Sequence, residues 1–382
     1  MKKLLSMLLS CAVMLVSQTG CGARNSSSSS KKNGGDNMID SVKLLGRTYA
    51  AQDGKIWMGL SGTGVELEYS GKKLSVTLRG DCSDTDKMPR IGVYVDGERK
   101  HDICVPDVEK TVDIEGKGDT SVSVKIIKLS ECLCSCCAIT SMDAHGGKIE
   151  KTASKQRRIE FIGDSITCGY GVDDTNLYHG FSSVTEDCTK AYAIKTAQIL
   201  NADHSLVSFS GYGIVSGFTP DGIADESKLV PTYYEKYGST ENNGFGRTNP
   251  SDIQWDFSSF KPDVIVVFLG TNDISYTGYD AQRQKEYTEC YVRFLENVRS
   301  NNPEAKIVCT LGTMGTALNG AMNEAVSQYS AKSGDKNICS FDLPLMDVEA
   351  DGCVIQSHPS EITHNKIAQL LSDKIRTEMN WK

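Results

Sequence analysis

The chain has 382 residues, of which 39% are hydrophobic and 24% are charged, and this length favours two folded domains over one. The formal net charge is -8, and removal of residues 1–20 takes away two lysines and no acid, which leaves the remainder at -10. So acidic a chain is a poor partner for nucleic acid and other polyanions, whereas neutral sugars and small esters remain compatible with it.

The N-terminal segment has the features of an export signal. Lys2 and Lys3 precede an apolar run over residues 4–16, which is too short to span a membrane but has the length of a signal-peptide core. The run leads to Gly20 and Cys21, and a cysteine in this position resembles the lipidation site of bacterial lipoproteins. We expect a signal peptide over residues 1–20 and an exported protein, either lipid-anchored through Cys21 at the cell surface or secreted.

A polar, low-complexity segment follows the signal. Five consecutive serines and the sequence Lys-Lys-Asn-Gly-Gly occupy residues 26–35. Such a composition buries too little apolar surface to fold. Residues 21–37 are therefore predicted to be a flexible tether, and the lipid anchor is expected to be the only contact with a membrane.

Residues 38–152 carry the pattern of short β-strands. Apolar and polar residues alternate over residues 65–69 and 74–78, and the strand-like run 90–95 leads into Asp96-Gly97, a hairpin signal. Several short strands without an amphipathic helix predict a β-sandwich of jelly-roll type.

Fourteen cysteines are present, and twelve remain when Cys11 and Cys21 are set aside. An even number in an exported chain permits disulfides, but their connectivity cannot be deduced from sequence. The cluster of four cysteines within residues 132–137 lacks paired zinc-ligand spacing, so we expect no metal there. Cys309 and Cys339 lie in apolar runs and are expected to be buried thiols.

Residues 153–382 change to an α/β pattern with a parallel sheet and covering helices, a flavodoxin-like arrangement. The strand-like runs are 159–162, 205–209, 264–269, 306–311 and 338–341. Two helices show a single apolar face each: Tyr287, Tyr291, Phe294, Leu295 and Val298 in one, and Ile367, Leu370, Leu371 and Ile375 in the last.

The second and third of these strands are separated by about 50 residues without clear periodicity, and loops of such length are usually functional or disordered. This stretch is rich in glycine, asparagine and aromatic residues, among them Trp255. Trp255 is a candidate for substrate binding in the wall of a cleft, with anchoring of the next strand as the alternative.

A serine stands at the end of the first strand of the α/β half. Gly163-Asp164-Ser165 follows the apolar run directly. In an open α/β sheet, ligands bind at the carboxyl ends of the strands, so a hydroxyl on this turn faces a crevice. Ser165 is therefore the candidate nucleophile.

Three later segments supply the other groups that acyl transfer needs. Gly211 follows the second strand and offers a backbone N–H, Asn272 follows the third strand and offers a side-chain amide, and His358 near the C-terminus offers an imidazole. A hydroxyl nucleophile needs a base within hydrogen-bond reach, and the tetrahedral intermediate needs donors at its oxyanion.

These four blocks, in this order, resemble the SGNH hydrolases. The resemblance implies that Ser165 is the nucleophile and His358 the general base. It also implies that the oxyanion hole is formed by the Ser165 N–H, the Gly211 N–H and the Asn272 side chain.

The resemblance extends to the N-terminal half. Leu-Gly-Arg at 45–47, Ile-Trp-Met-Gly-Leu-Ser-Gly at 56–62 and Tyr-Val-Asp-Gly at 94–97 are similar to the second family of carbohydrate esterases, which places a jelly-roll domain before an SGNH domain. This implies a monomeric esterase that removes O-acetyl groups from plant cell-wall polysaccharides such as xylan or glucomannan, often at the 6-hydroxyl, without metal or organic cofactor.

One expected residue is missing. SGNH enzymes usually carry an aspartate about three residues before the histidine, but residues 355–357 here are Ile, Gln and Ser. The backbone carbonyl of Gln356 or of a neighbour is one candidate for orienting His358. Displaced acids on the same loop, Asp347, Glu349 or Asp351, are the other candidates.

Other residues near these motifs are expected to be structural. Asp164 and Asp273 are expected to form turn hydrogen bonds, and Cys168 is expected to be a packed thiol. Two alternative functions remain open: a glycan-binding protein whose catalysis has decayed with the lost aspartate, and a lipase-like or thioesterase SGNH hydrolase. The intact Ser, Gly, Asn and His favour the esterase.

Overall fold

The computed structural model describes residues 38–382. The predicted signal peptide, the tether and Cys21 lie outside the described residues. Within this part of the chain, no helix is both long and apolar enough to cross a membrane. All cysteines of residues 38–382 are free thiols, and Cys309 is buried as expected, whereas Cys339 is partly exposed.

Residues 43–151 form a nine-stranded antiparallel sheet. Its strands are β1 (Lys43–Leu45), β2 (Tyr49–Ala50), β3 (Ile56–Met58), β4 (Gly64–Gly80), β5 (Arg90–Val95), β6 (Glu98–Cys104), β7 (Lys110–Lys128), β8 (Cys137–Asp143) and β9 (Lys148–Lys151). The order is β2-β3-β8-β4-β7-β5-β6, and both β1 and β9 pair with β4.

The two longest strands explain how this sheet encloses a core. Strands β4 and β7 span 17 and 19 residues and bury alternate side chains along most of their length. Both halves of each strand contribute to one apolar cluster, which includes Leu67 and Leu78 from β4. The sheet therefore folds over on itself, as a β-sandwich requires. The β4–β7 register shifts at Gly71, where a Cβ would collide with the ring of Tyr69.

The second half contains a five-stranded parallel sheet in the order β11-β10-β12-β13-β14. Its strands are β10 (Arg157–Gly163), β11 (Ala202–Ser208), β12 (Val264–Phe268), β13 (Lys306–Thr313) and β14 (Ile338–Leu345), and a separate antiparallel pair is formed by β15 (Cys353–Val354) and β16 (His358–Pro359). All five predicted strands are confirmed.

Eight α-helices accompany these strands within the described residues. They are α1 (Ser165–Cys168), α2 (Tyr192–Ile199), α3 (Val230–Tyr233), α4 (Ile274–Thr277), α5 (Ala281–Asn301), α6 (Asn319–Ser333), α7 (Val348–Asp351) and α8 (Glu361–Met379). The predicted apolar face of α5 is buried in full. In α8 the prediction for Leu370 was wrong, because the buried stripe runs through Ala368, Leu371 and Ile375 and leaves Leu370 38% exposed.

Strand order places the crevice of the parallel sheet beside β10. The chain continues from β10 to β11 on one side of it and then to β12 on the other, so the connections diverge at the carboxyl end of β10. Such a switch point is where ligands bind in open α/β sheets. Ser165 and Asn272 follow β10 and β12, and Gly211 follows β11.

A buried ion pair joins the antiparallel half to β10. Arg47 is fully buried, and its Nη2 lies 3.2 Å from the carboxylate of Glu160, in the middle of β10. The same guanidinium donates to the carbonyls of Tyr234 and Lys236. The motif residue Arg47 therefore anchors the strand that ends at the candidate nucleophile.

Candidate active site

Ser165 stands on the first turn of α1, directly after a tight strand end. A Cβ at Gly163 would meet Thr167 Oγ1 at 2.0 Å, so only glycine permits this turn. Asp164 caps the helix, since its Oδ1 accepts the N–H of Ile166 at 3.0 Å. Burial raises the pKa of Asp164 to about 7. Its Oδ1 therefore acts as a helix cap, as expected for a turn residue, while its Oδ2 accepts a long 3.4 Å contact from the side-chain amide of Asn272.

His358 contacts the candidate nucleophile. Its Nε2 lies 2.8 Å from Ser165 Oγ, and its Nδ1 lies 3.2 Å from the carbonyl oxygen of Ile355. Because a carbonyl only accepts, Nδ1 carries the hydrogen and Nε2 is free to accept from the serine. Desolvation lowers the pKa of His358 to about 4, so the imidazole is neutral at physiological pH.

The prediction named the carbonyl of Gln356 or of a neighbour, and the carbonyl within hydrogen-bond distance of His358 Nδ1 is that of the neighbour Ile355. The backbone of Gln356 also acts on the imidazole and partly offsets the lowering of the His358 pKa by desolvation. Gln356 and Ser357 both have positive φ, at 51° and 59°, which turns the chain back after Ile355. Val354 then pairs with His358 across β15 and β16. This tight turn places the carbonyl of residue 355 beneath the imidazole, while the Gln356 side chain accepts from the Tyr170 hydroxyl at 3.1 Å.

The three acids on this loop make other contacts. Asp347 caps α7 by accepting the N–H of Ala350 at 2.9 Å, and Glu349 is exposed. Asp351 is paired with Lys366 at 2.6 Å. Among the described residues, none of these acids is hydrogen-bonded to His358.

Tyr170 is a site residue that sequence reasoning missed. Its ring stacks on the His358 ring, with centroids 4.4 Å apart, and on Phe181 at 4.7 Å. The sequence feature that could have indicated this residue is Gly-Tyr-Gly at 169–171, whose two glycines have φ of 80° and 60°. These left-handed residues flank Tyr170, whose ring packs against His358, the residue that contacts Ser165.

Gly211 and Asn272, the other predicted oxyanion donors, line the same cavity as Ser165. Gly211 has φ of 79°, and a Cβ there would meet no atom within 4 Å, so its backbone faces open space. Within residues 38–382, the N–H groups of Ser165 and Gly211 donate to no protein acceptor. Asn272 donates to the carbonyl of Tyr212 at 2.8 Å and makes only a long 3.4 Å contact with Asp164. Their role as an oxyanion hole stays a prediction.

Asp273 accepts hydrogen bonds from the loop that follows Gly211. Its Oδ1 accepts the N–H groups of Ile214, Val215 and Ser216 at 2.8, 2.7 and 3.2 Å. Complete burial raises its pKa to about 6. Asp273 therefore has a structural role, but it fixes the backbone of a distant loop after Gly211 instead of forming the expected hydrogen bonds within its own turn.

These groups line one cavity of about 720 Å³. Its wall consists of Ser165, His358, Gly211, Asn272, Glu131, Leu133, Cys134, Tyr170, Phe181, Ser210, Phe218, Glu241, Thr271, Met314 and Gln356. The prediction that Trp255 binds substrate there is corrected, because Trp255 is not in this wall. It is buried against Tyr237, with the guanidinium of Arg47 5.2 Å from its ring, so it anchors the core.

Two family models match the chain. The GDSL-like Lipase/Acylhydrolase family matches residues 159–371. The Carbohydrate esterase 2 N-terminal family matches residues 44–152. Together they confirm the resemblance that the motifs indicated.

Known proteins show the same similarity. The cellulase/esterase CelE of Acetivibrio thermocellus is 30% identical over 329 residues, which are 84% of this chain and 37% of that protein, so the chain spans well under half of its length. An acetylxylan esterase / glucomannan deacetylase of Cellvibrio japonicus is 25% identical, with 89% of each chain covered.

A solved structure agrees along nearly the whole described chain. The family two carbohydrate esterase from Clostridium thermocellum, in complex with cellohexaose, superposes with a TM-score of 0.77 and 27% identity, covering 89% of this chain and 100% of that one. The protein therefore belongs to the GDSL-like lipases and acylhydrolases, in the form that carries the N-terminal domain of the family 2 carbohydrate esterases.

Proposed function

We propose that the protein is a serine esterase that removes O-acetyl groups from plant cell-wall polysaccharides, xylan or glucomannan, including acetyl groups on the 6-hydroxyl. The observation that carries the proposal is the 2.8 Å hydrogen bond between Ser165 Oγ and His358 Nε2 in the wall of an open cavity. A decayed, purely glycan-binding site would not need this bond.

In the first half-reaction, Ser165 Oγ attacks the acetyl carbonyl while His358 Nε2 takes its proton. Negative charge then develops on the carbonyl oxygen. It is stabilised by hydrogen bonds that the N–H groups of Ser165 and Gly211 and the side-chain amide of Asn272 donate. The C–O bond to the sugar then breaks, and the imidazolium returns the proton to the sugar oxygen.

In the second half-reaction, water attacks the acetyl-serine. His358 accepts the proton of that water, the tetrahedral intermediate collapses, and acetate leaves as Ser165 recovers its proton. The carbonyl of Ile355 keeps Nδ1 protonated throughout, so Nε2 stays available as the base.

The composition of the cavity wall supports a neutral sugar as the bound group. Glu131 and Glu241 contribute carboxyl groups, and the described wall contains no lysine or arginine. An acidic wall disfavours uronates. The aromatic rings of Tyr170, Phe181 and Phe218 offer flat apolar surface of the kind that packs against a sugar ring.

The proposal also places the enzyme outside the cell. The apolar run 4–16 and the cysteine at position 21 support export followed by lipid anchoring, with residues 21–37 as a tether and the folded part as a monomer. Mass spectrometry of the mature N-terminus would detect the acyl chain. An unmodified N-terminus in a wholly soluble extracellular fraction would exclude the anchor.

Acetate release from a panel of acetylated polysaccharides tests the activity. We expect release from acetylated xylan or glucomannan by the wild type and none above background by Ser165→Ala at unchanged thermal stability. Tight binding of these glycans by the wild type without acetate release would instead favour the glycan-binding alternative. Turnover of Ser165→Ala near the wild-type rate would exclude the assigned nucleophile.

A further inference from the structure

Behind the Ser210–Gly211 turn lies a buried cluster of three charged side chains, Lys128, Glu131 and Glu186. They are 0%, 2% and 0% exposed. Lys128 and Glu131 come from the end of β7 and the residues after it, whereas Glu186 lies between α1 and α2. Lys128 and Glu186 take no part in the proposed reaction, and Glu131 has so far been described only as part of the cavity wall.

Specific hydrogen bonds connect this cluster to the active-site turn. Oε2 of Glu131 accepts the backbone N–H of Ser210 at 2.9 Å. The backbone N–H of Glu131 donates a hydrogen bond to Glu186 Oε2 at 2.7 Å. Lys128 Nζ donates to the backbone carbonyl of Glu131 at 2.8 Å. The backbone of Glu131, whose carboxylate reaches Ser210, is thus held at both its N–H and its carbonyl.

The Ser210 N–H is the amide next to the predicted oxyanion donor. On the other side of that donor, the carbonyl of Gly211 accepts the N–H of Phe218 at 2.8 Å. The peptide that carries the Gly211 N–H is therefore fixed at both ends, and one of the two anchors is Glu131. A glycine has no side chain to hold its own orientation, so anchors on its neighbours set the direction of its N–H.

We propose that Glu131 is a positioning residue, supplied by the antiparallel half of the molecule, that fixes the Ser210–Gly211 peptide so that the Gly211 N–H points at the reacting carbonyl oxygen. The inference rests on the proposed function of Gly211. It makes the antiparallel domain part of the catalytic apparatus, because that domain orients a donor of the parallel-sheet domain.

Burial of the cluster agrees with a role in positioning. Two carboxyl groups and one ammonium group are buried together, and desolvation raises the pKa of both Glu131 and Glu186. A hydrogen bond to a backbone N–H needs only an acceptor, which an amide oxygen supplies as well as a carboxylate does. Glu131 must therefore keep the side-chain length that brings its oxygen to the Ser210 N–H, and it need not keep its charge.

Glu131→Gln and Glu131→Asp separate reach from charge, with acetate release from an acetylated oligosaccharide as the assay. Glu131→Gln keeps the acceptor at the same distance, and we expect kcat within about threefold of wild type. Glu131→Asp keeps the charge but is one methylene short, and we expect kcat to fall about 10- to 100-fold with KM nearly unchanged, since a misplacement of ~1 Å costs up to about 10²-fold.

A second measurement does not depend on the sugar substrate. The rate at which a phosphonate ester labels Ser165, followed by mass spectrometry, also requires the oxyanion donors. We expect Glu131→Asp to be labelled slowly and Glu131→Gln at nearly the wild-type rate, with circular dichroism verifying that both variants are folded.

The outcomes distinguish this inference from the proposed function. A wild type that neither releases acetate nor is labelled at Ser165 would contradict the proposed function itself. An active wild type with an impaired Gln variant and an unimpaired Asp variant would overturn the positioning role.

One ligand atom each of Glu131, Cys168 and Glu186 lies within 4.8 Å of the others. A stoichiometric metal ion that survives dialysis against a chelator would therefore assign the cluster to a metal centre and also overturn the proposal.

Discussion

Among the described residues, the imidazole of His358 is oriented by a backbone carbonyl and is hydrogen-bonded to no carboxylate. The carbonyl of Ile355 fixes the tautomer, but it supplies no counter-charge for the imidazolium that forms during catalysis. The stacked ring of Tyr170 offers its π-face to that cation instead.

The loop acids are expected to be dispensable for catalysis. Asp347→Ala and Glu349→Ala should each change kcat by only about two- to threefold, because neither side chain contacts His358. His358→Ala should lower kcat by about 10⁴-fold, as loss of a catalytic base does. Steady-state acetate release measures all three variants. A kcat loss of about 10²-fold or more in either acid variant, with stability unchanged, would restore a displaced triad.

The low pKa of His358 predicts the acid limit of activity. Protonation removes the base, so kcat/KM should fall as pH falls through about 4 rather than through the ordinary histidine value of 6.5. A pH profile of kcat/KM from pH 3.5 to 8 locates this limb. A midpoint near 6.5 would contradict a desolvated, neutral His358.

That profile needs a folding control. His204 and His364 are also buried, with pKa values lowered to about 4 and about 3. Their lowered pKa stabilises the fold above pH 6.5, and this contribution is lost as pH falls towards 4, because the unfolded chain binds protons that the native chain excludes. Circular dichroism at each pH separates loss of fold from protonation of His358.

Sequence reasoning located Ser165 and His358 because motif residues at strand ends follow from local chain order. It predicted the carbonyl of Gln356 or of a neighbour but could not single out Ile355, because the left-handed turn at 356 and 357 leaves no sequence signal when the residues are not glycine. Tyr170 was missed for a similar reason. Its position depends on how two glycines turn the chain in three dimensions.

Among the elements, the strands and the two long helices were predictable because burial follows their periodicity. The short pair β15 and β16 was not, since two-residue strands carry no periodic pattern. Leu370 shows how far periodicity can predict burial within a helix. An apolar residue at the edge of the buried stripe remains exposed when no neighbouring element covers it.

The turn between β10 and α1 should tolerate no side chain at position 163. Gly163→Ala would place a Cβ 2.0 Å from Thr167 Oγ1, and that hydroxyl is itself hydrogen-bonded to Tyr192 at 2.8 Å. We expect the free energy of unfolding to fall by about 1–3 kcal/mol. We also expect kcat to fall, because α1 carries Ser165. Urea unfolding and acetate release measure the two effects.

Gly320→Ala is the matched control for this substitution. Gly320 lies in α6, where a Cβ would meet nothing within 4 Å. Alanine there should leave activity unchanged and stabilise the protein by up to about 1 kcal/mol. Equal stability losses at positions 163 and 320 would contradict the steric account of the strand end.

In the whole molecule, both halves were predictable from their own patterns, but the contacts between them were not. Arg47 was visible only as part of a motif, and its partner Glu160 lies 113 residues away, inside β10. Contacts at such separations depend on tertiary packing, which periodicity does not describe. The role inferred for Glu131 arises from the same kind of contact.

Loss of Arg47 should be strongly destabilising. Arg47→Met leaves the buried carboxylate of Glu160 without its cation, and breaking a buried pair in this way costs about 3–5 kcal/mol. The control is Arg79→Met, which breaks an exposed pair with Asp107 and should cost at most about 1 kcal/mol. Urea unfolding compares them. Similar losses in both variants would contradict the view that Arg47 anchors β10.

Trapping of the acyl-enzyme identifies the nucleophile in a single step. The wild-type protein is mixed with an acetylated xylan or glucomannan oligosaccharide, quenched with acid within the first turnover, digested and analysed by mass spectrometry. We predict an acetyl group on Ser165, and none on that peptide in His358→Ala, in which Ser165 lacks its base. Release of acetate at the normal rate with the acetyl group on another residue would contradict the assignment of Ser165 and His358 as the catalytic pair.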